Sequence, residues 1–156
     1  MTLRDSIIQE TIADLALRPV VRVHADQTVR QVCEAMSEQR LGAAIITDAD
    51  GRTQGMFNEK LLISLLARKP EGMDEPVKYH MTSNVVCVKP TDSIATLIAT
   101  MQGRKLRWVC VVDDQGKATA LTGLRGVMEY AVDHFPRSVL SQPIRSKLAI
   151  EEREGA

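Results

Sequence analysis

The chain has 156 residues, 44% of them apolar, and its 20 bases balance its 20 acids. That length suits one compact domain or two small lobes sharing a core, and the interspersed neutral charge excludes the basic stripe of a nucleic-acid binder and the polybasic cluster of an anionic-membrane binder. No apolar stretch approaches the roughly 18 residues of a membrane span, and the charged start MTLRDSIIQETIADLA has no signal-peptide core; a soluble cytoplasmic protein with neither a nucleic-acid nor a membrane partner is expected.

In chain order, Ile7, Ile8, Ile12 and Leu15 recur at near-helical spacing and predict an extra helix within Leu3–Leu17. From Pro19 a pattern begins that returns, without a gap, from Asn84: Val20, Val21, Val23, Met36, Leu41, Asp48 and Gly51 fall over Val85, Val86, Val88, Met101, Leu106, Asp113 and Gly116, an offset of 65 residues throughout. Two copies are fewer than a solenoid needs, so the pair is expected to bury one face of each copy against the other.

Each copy reads as strand, helix, strand, strand, helix. Val29, Val32, Cys33 and Met36 lie at i, i+3, i+4 and i+7, one helix face, and Ile94, Leu97, Ile98 and Met101 repeat it. Asp26 or Thr28, and Asp92 or Ser93, are the N-cap candidates. AAIIT and WVCVV then predict buried strands, each followed by an acidic Gly-containing turn, DADG or DDQG, and by the return strands TQGMF and ATALT. Leu61, Leu62, Leu65 and Leu66, or Leu124, Val127, Met128 and Ala131, resume helical spacing. RKPEGMDEP is a connector by composition, Pro76–His80 a turn of helix, and Pro136 and Pro143 break the pattern into a tail. The division expected is an N-terminal helix over 1–14, a first repeat over 15–69, a connector over 70–76, a second repeat over 77–135 and a C-terminal tail over 136–156.

Only one Trp, two Tyr and two Phe are present, so the core must be aliphatic. Cys33, Cys87 and Cys110 are odd in number and show no C-x-x-C spacing, which predicts free buried thiols rather than disulfides or a zinc site; His24, His80 and His134 are isolated, and no metal is expected. Serine-hydrolase, zinc-protease, Walker A and dinucleotide fingerprints are absent, so no enzyme activity is expected.

Three segments carry a resemblance. HMTSNVVCVKPTDSI, MSEQRLGAAIITDADGRTQGMF and LRWVCVVDDQGK are similar, in order and spacing, to the motifs of tandem cystathionine-β-synthase (CBS) domains, a Bateman module, from about Leu15 to His134. The resemblance implies an α/β (α+β) fold of two β-α-β-β-α repeats packed as a pseudo-symmetric pair, a flat homodimer, and clefts between repeats that sense AMP, ATP, NAD or S-adenosylmethionine. It also implies a motif at the last strand-to-helix junction of each repeat, of Gly, two hydrophobics, Thr or Ser, two variable residues and a ribose-binding Asp. This chain departs from it: the first repeat keeps Gly55 but has Asn58 at the Thr or Ser position and Leu61 at the Asp position, and the second has Ala120, Gly123 and Gly126 at the three positions.

An adenine needs an apolar slot, a ribose needs a carboxylate, and phosphates need cations or helix N-termini. With both ribose Asp residues missing, Glu59 beside the vacated position is the candidate substitute, and Lys60, Lys105, Arg107 and Arg125 are candidate phosphate contacts. Gly42 would let a ligand ring approach the backbone, and Trp108 would stack on a ring or plug the second cleft. The site expected comprises Gly42, Ala43, Asn58, Glu59, Thr82, Arg107, Trp108 and Arg125, with the first cleft as the main pocket. The function expected is a regulatory module binding an adenine-containing or related anionic ligand, its output passing to a separate effector protein. The alternative is a ligand-free dimerisation scaffold.

Overall fold

Two three-stranded sheets, one per repeat, form the centre of the computed structural model, which describes residues 1–135; the tail expected over 136–156 lies outside the described residues. The first repeat contains β1 (Arg22–Val23), α2 (Val29–Glu38), β2 (Ala43–Thr47), β3 (Thr53–Asn58) and α3 (Glu59–Arg68), preceded by α1 (Leu3–Gln9). The second contains β4 (Cys87–Val88), α4 (Ile94–Arg104), β5 (Trp108–Val112), β6 (Ala118–Gly123) and α5 (Leu124–His134). In each sheet the middle strand pairs parallel with the first and antiparallel with the third. The α+β order expected from the sequence is the order observed.

Strand alternation sorts the side chains between two environments. Ala44, Ile46 and Phe57 face α2 and α3, and Val109 and Val111 face α4 and α5, giving each repeat its own sheet-to-helix core. Ala43, Ile45, Met56, Cys110, Val112, Ala118 and Leu121 point the other way and meet between the sheets. Both middle strands are therefore buried on both faces, which is why AAII and WVCVV are unbroken apolar runs.

The repeats also exchange their lead-in segments. Arg18, ahead of β1, exchanges both backbone hydrogen bonds with Leu121 on β6, and Thr82, ahead of β4, does the same with Met56 on β3. Further upstream, Ile12 donates to the Asp92 carbonyl, and Val77 to that of Gln27. These bonds correct the expected first helix. α1 stops at Gln9; Glu10 turns extended, and Ile12–Asp14 forms a short 3-10 turn that matches Val77–Tyr79 at the repeat offset. Ile12 and Leu15 reach the second repeat's core from that turn instead of from one continuous helix.

Local chemistry ends the elements as expected. Thr28 caps α2 through the Gln31 amide, in a reciprocal capping box, and Ser93 caps α4 through the Thr96 amide. In the hairpins, Asp48 Oδ1 accepts from the Asp50 and Arg52 amides, and Asp113 Oδ1 from those of Gln115 and Lys117. Gly51 and Gly116 close these turns at φ +82° and +77°. A side chain is strained in that region, so Gly51→Ala is expected to destabilise the protein by about 1–2 kcal/mol, read as a lower urea midpoint with unchanged slope.

Candidate functional site

The exchanged lead-ins create two clefts, one at each strand-to-helix junction. The first, about 530 Å³, lies between the β3–α3 junction and the lead-in of the second repeat, lined by Met56, Asn58, Thr82, Val85, Leu106 and Trp108. Past Trp108 it opens into a mouth of about 660 Å³ walled by Glu59, Lys60, Ile63, Arg104, Lys105 and Arg107. The second cleft, about 530 Å³, lies at the β6–α5 junction against the lead-in of the first repeat, with Ala16, Arg18, Thr122, Gly123, Arg125 and Glu129 among its walls.

Six of the eight residues expected at the site line these clefts. Asn58 and Thr82 reach the first cleft, Arg125 the second, and Glu59, Arg107 and Trp108 border both. Trp108 packs one side against the inter-sheet core and divides the clefts, so it belongs to both and is not a plug of the second alone. Asn58 stands where the family motif has Thr or Ser, and its Oδ1 accepts from the Leu61 amide at 3.0 Å, capping α3.

Two assignments are corrected. Ala43 is fully buried between the sheets and offers no surface to a ligand. Gly42 is also buried, but the space above it is occupied: a Cβ there would lie 2.7 Å from Glu59 Cδ. Its missing side chain makes room for the Glu59 carboxylate, whose amide also donates to the Gly42 carbonyl. Leu61, at the position of the missing ribose Asp, packs against the first repeat's core.

The clefts differ in charge. At the second, Arg18 places Nη2 2.6 Å from both Glu129 oxygens, and Arg125 Nε is 3.1 Å from the same carboxylate. Burial acts to raise the Glu129 carboxyl, but the hydrogen bonds from Arg18 and Arg125 hold it below the usual carboxylate range. Those two arginines thus share one carboxylate. Besides Glu59 and Arg107, which it shares with the first cleft, this cleft offers the α5 N-terminus, where Gly123 provides no side-chain cap, and the buried Thr122 hydroxyl, which has no partner among the described residues. At the first cleft Lys60, Arg104, Lys105 and Arg107 have no carboxylate partner among the described residues. Together they concentrate positive charge beside a single carboxylate, that of Glu59.

Sequence reasoning missed Arg104, Val85, Leu106 and Arg18. Part of the signal was present: RKLR over Arg104–Arg107 is a basic run that joins α4 to the apolar strand β5. Arg18 and Val85 carry no such mark, because only the exchange of lead-ins brings them to the clefts.

A duplicated strand-helix-strand-strand-helix unit, with its sheets face to face and a cleft at each seam, defines a tandem-repeat α+β module. The chain belongs to the CBS domain family, whose model matches it twice, at residues 12–68 and 77–132. It is 32% identical over 108 residues to an uncharacterized 33.4 kDa protein encoded in a ribosomal RNA operon of Thermofilum pendens, a match covering 69% of this chain and 35% of that protein; the chain thus spans about a third of the length of that relative. Among solved structures, a CBS domain protein of Pyrobaculum aerophilum complexed with AMP superposes with a TM-score of 0.71 at 23% identity, over 83% of this chain and 95% of that one. The CBS domain pair of protein MJ0100, in complex with 5′-methylthioadenosine and S-adenosyl-L-methionine, superposes with a TM-score of 0.73 at 15% identity, over 80% and 97%. No helix among the described residues is long and apolar enough to cross a membrane.

Proposed function

We propose that the protein is a non-catalytic regulatory module that binds a phosphorylated adenine nucleoside in its first cleft. The observation that carries this reading is the set of four cations, Lys60, Arg104, Lys105 and Arg107, around one mouth with no carboxylate partner among the described residues. The apolar slot formed by Met56, Val85, Leu106 and Trp108 accepts the base, Glu59 accepts from the ribose hydroxyls, and the cations meet the phosphate. Structural neighbours complexed with AMP, and with 5′-methylthioadenosine and S-adenosyl-L-methionine, support an adenine ligand. Binding biases the relative packing of the repeats, because each cleft is walled by both of them.

Calorimetric titration with adenosine, AMP and ATP tests the reading. AMP and ATP are expected to bind more tightly than adenosine, and their advantage should shrink at about 0.5 M salt, where charges are screened within about 4 Å. Equal affinity for all three, or indifference to salt, would remove the cations from the site. No binding by any of them would favour the dimerisation scaffold instead.

We further propose a homodimer that passes its state to a separate effector protein. Of the apolar residues at helical spacing on α3 and α5, Leu61, Leu62 and Leu65 pack on the first core and Val127 on the second. Leu66 and Met128 stay exposed, joined by Ile63 on α3 and by Leu124 and Val132 on α5, apolar side chains grouped on the two helices that flank the clefts. Sedimentation at micromolar concentration should give twice the mass of the chain, and Met128→Lys with Ile63→Lys should return it to monomer. A wild-type monomer at that concentration contradicts the proposal.

A further inference from the structure

Cys87 and Cys110 are register partners on the neighbouring parallel strands β4 and β5. Register partners project to the same side of a sheet, and both thiols lie in or against the core between the two sheets. Neighbouring strands run about 4.7–4.9 Å apart, within the Cα separation of about 4.4–6.8 Å that a disulfide spans. The two environments differ. Cys110 is fully buried, whereas Cys87 is half-buried, its sulfur 3.9 Å from the Thr53 hydroxyl and 3.8 Å from the Val85 carbonyl.

Hydrogen bonding with the Cys110 thiol, opposed by burial and assisted by the Thr53 hydroxyl, brings Cys87 down to about 7. The same neighbour, together with burial, pushes the Cys110 thiol up. The half-buried Cys87 is the sulfur a reagent can reach, and the buried Cys110 beside it is placed to resolve the adduct, the division of labour between an attacking and a resolving cysteine. Cys33 lies on α2, away from both, and is raised by its own burial.

We infer that Cys87 and Cys110 close a reversible intramolecular disulfide across the β4–β5 ladder when the protein meets a low-molecular-weight disulfide. The Cys87 thiolate attacks one sulfur of the reagent RSSR, forming a mixed disulfide and releasing RS⁻, which takes a proton from water. The Cys110 sulfur then attacks Cys87 Sγ, breaking the mixed bond and expelling the second RS⁻, which receives the Cys110 proton. Two protein thiols are oxidised to one disulfide, and one RSSR is reduced to two RSH. β4 is only two residues long, and Val85 and Val86 just ahead of it line the first cleft, so the bond ties a wall of that cleft to the sheet.

The test uses the full chain incubated with oxidised glutathione, alkylated with iodoacetamide in denaturing urea so that every free thiol reacts, digested with trypsin and analysed by mass. Wild type is expected to yield the peptides carrying Cys87 and Cys110 linked to each other, with Cys33 alkylated and the link lost after treatment with dithiothreitol. Cys33→Ser should still form the link, and Cys110→Ala should instead hold glutathione on Cys87. Recovery of both cysteines alkylated, a persistent glutathione adduct on wild-type Cys87, or a link that involves Cys33 would overturn the inference. Because the decisive arm is the wild-type protein, misfolding of a variant leaves the result readable.

Discussion

Gly123→Ala is expected to destabilise the protein by about 3 kcal/mol, at the upper end of what overpacking costs, whereas Gly126→Ala, three residues on, should be neutral or stabilising. Gly123 ends β6 as the register partner of Trp108, and a Cβ on it would lie 2.0 Å from the Arg107 carbonyl oxygen. Backbone is what it meets, so no rotamer change relieves the clash; β5 and β6 must separate. Gly126 sits in the first turn of α5, where a Cβ would have Thr122 Oγ1 at 3.5 Å and the Ala16 carbonyl at 3.7 Å, ordinary contacts. Alanine there gains helix propensity of about 1 kcal/mol over glycine. Urea unfolding of the two variants against wild type measures both signs at once. Equal destabilisation would mean that the β5–β6 edge is not packed as described.

Glu59→Gln is expected to weaken AMP binding by roughly tenfold to a hundredfold while leaving the unfolding midpoint unchanged. A hydrogen bond to a charged acceptor is worth about 1.5–3 kcal/mol, and about 1.4 kcal/mol is a factor of ten. Glu59 is exposed and makes no ion pair among the described residues, so its charge is available to a ligand. Gly42→Ala should weaken binding in the same direction by another route: the new methyl falls 2.7 Å from Glu59 Cδ, and the flexible carboxylate swings aside. The two substitutions act on one group, so combining them should cost little more than Glu59→Gln alone. Calorimetry on the four proteins decides it; additive losses would show that Gly42 contacts the ligand independently.

The parts of this molecule legible in its sequence are those governed by local chemistry. Thr28 and Ser93 cap where their position before an apolar periodic run says they should, and the DADG and DDQG turns close with their glycines at positive φ. The repeat offset identifies pairs of equivalent elements because each unit folds the same way. Non-local hydrogen bonding is where sequence reading stopped. Glu10 and Thr11 leave the helix because Ile12 and Ala13 donate to carbonyls of the second repeat, and nothing in the spacing of Ile7, Ile8, Ile12 and Leu15 announces that.

The same limit governs the site. Asn58, Glu59 and Lys60 are contiguous at one junction, so their shared location is readable; that Thr82 joins them depends on its pairing with Met56 across the repeats. Ala43 lies on β2, a middle strand buried on both faces, and that burial depends on how the two sheets pack. Gly42 was read as space for a ligand when the neighbouring Glu59 fills it, an occupancy that only the relative placement of β2 and α3 reveals.

Trp108, the one tryptophan of the chain, borders both clefts, so its fluorescence reports directly on whether an adenine nucleotide enters between the repeats. Titration with AMP at low salt is expected to change its emission saturably, with the same midpoint as calorimetry and with a weaker midpoint for Arg107→Ala. Emission that stays constant while calorimetry records binding would place the ligand outside the clefts and contradict the proposed site.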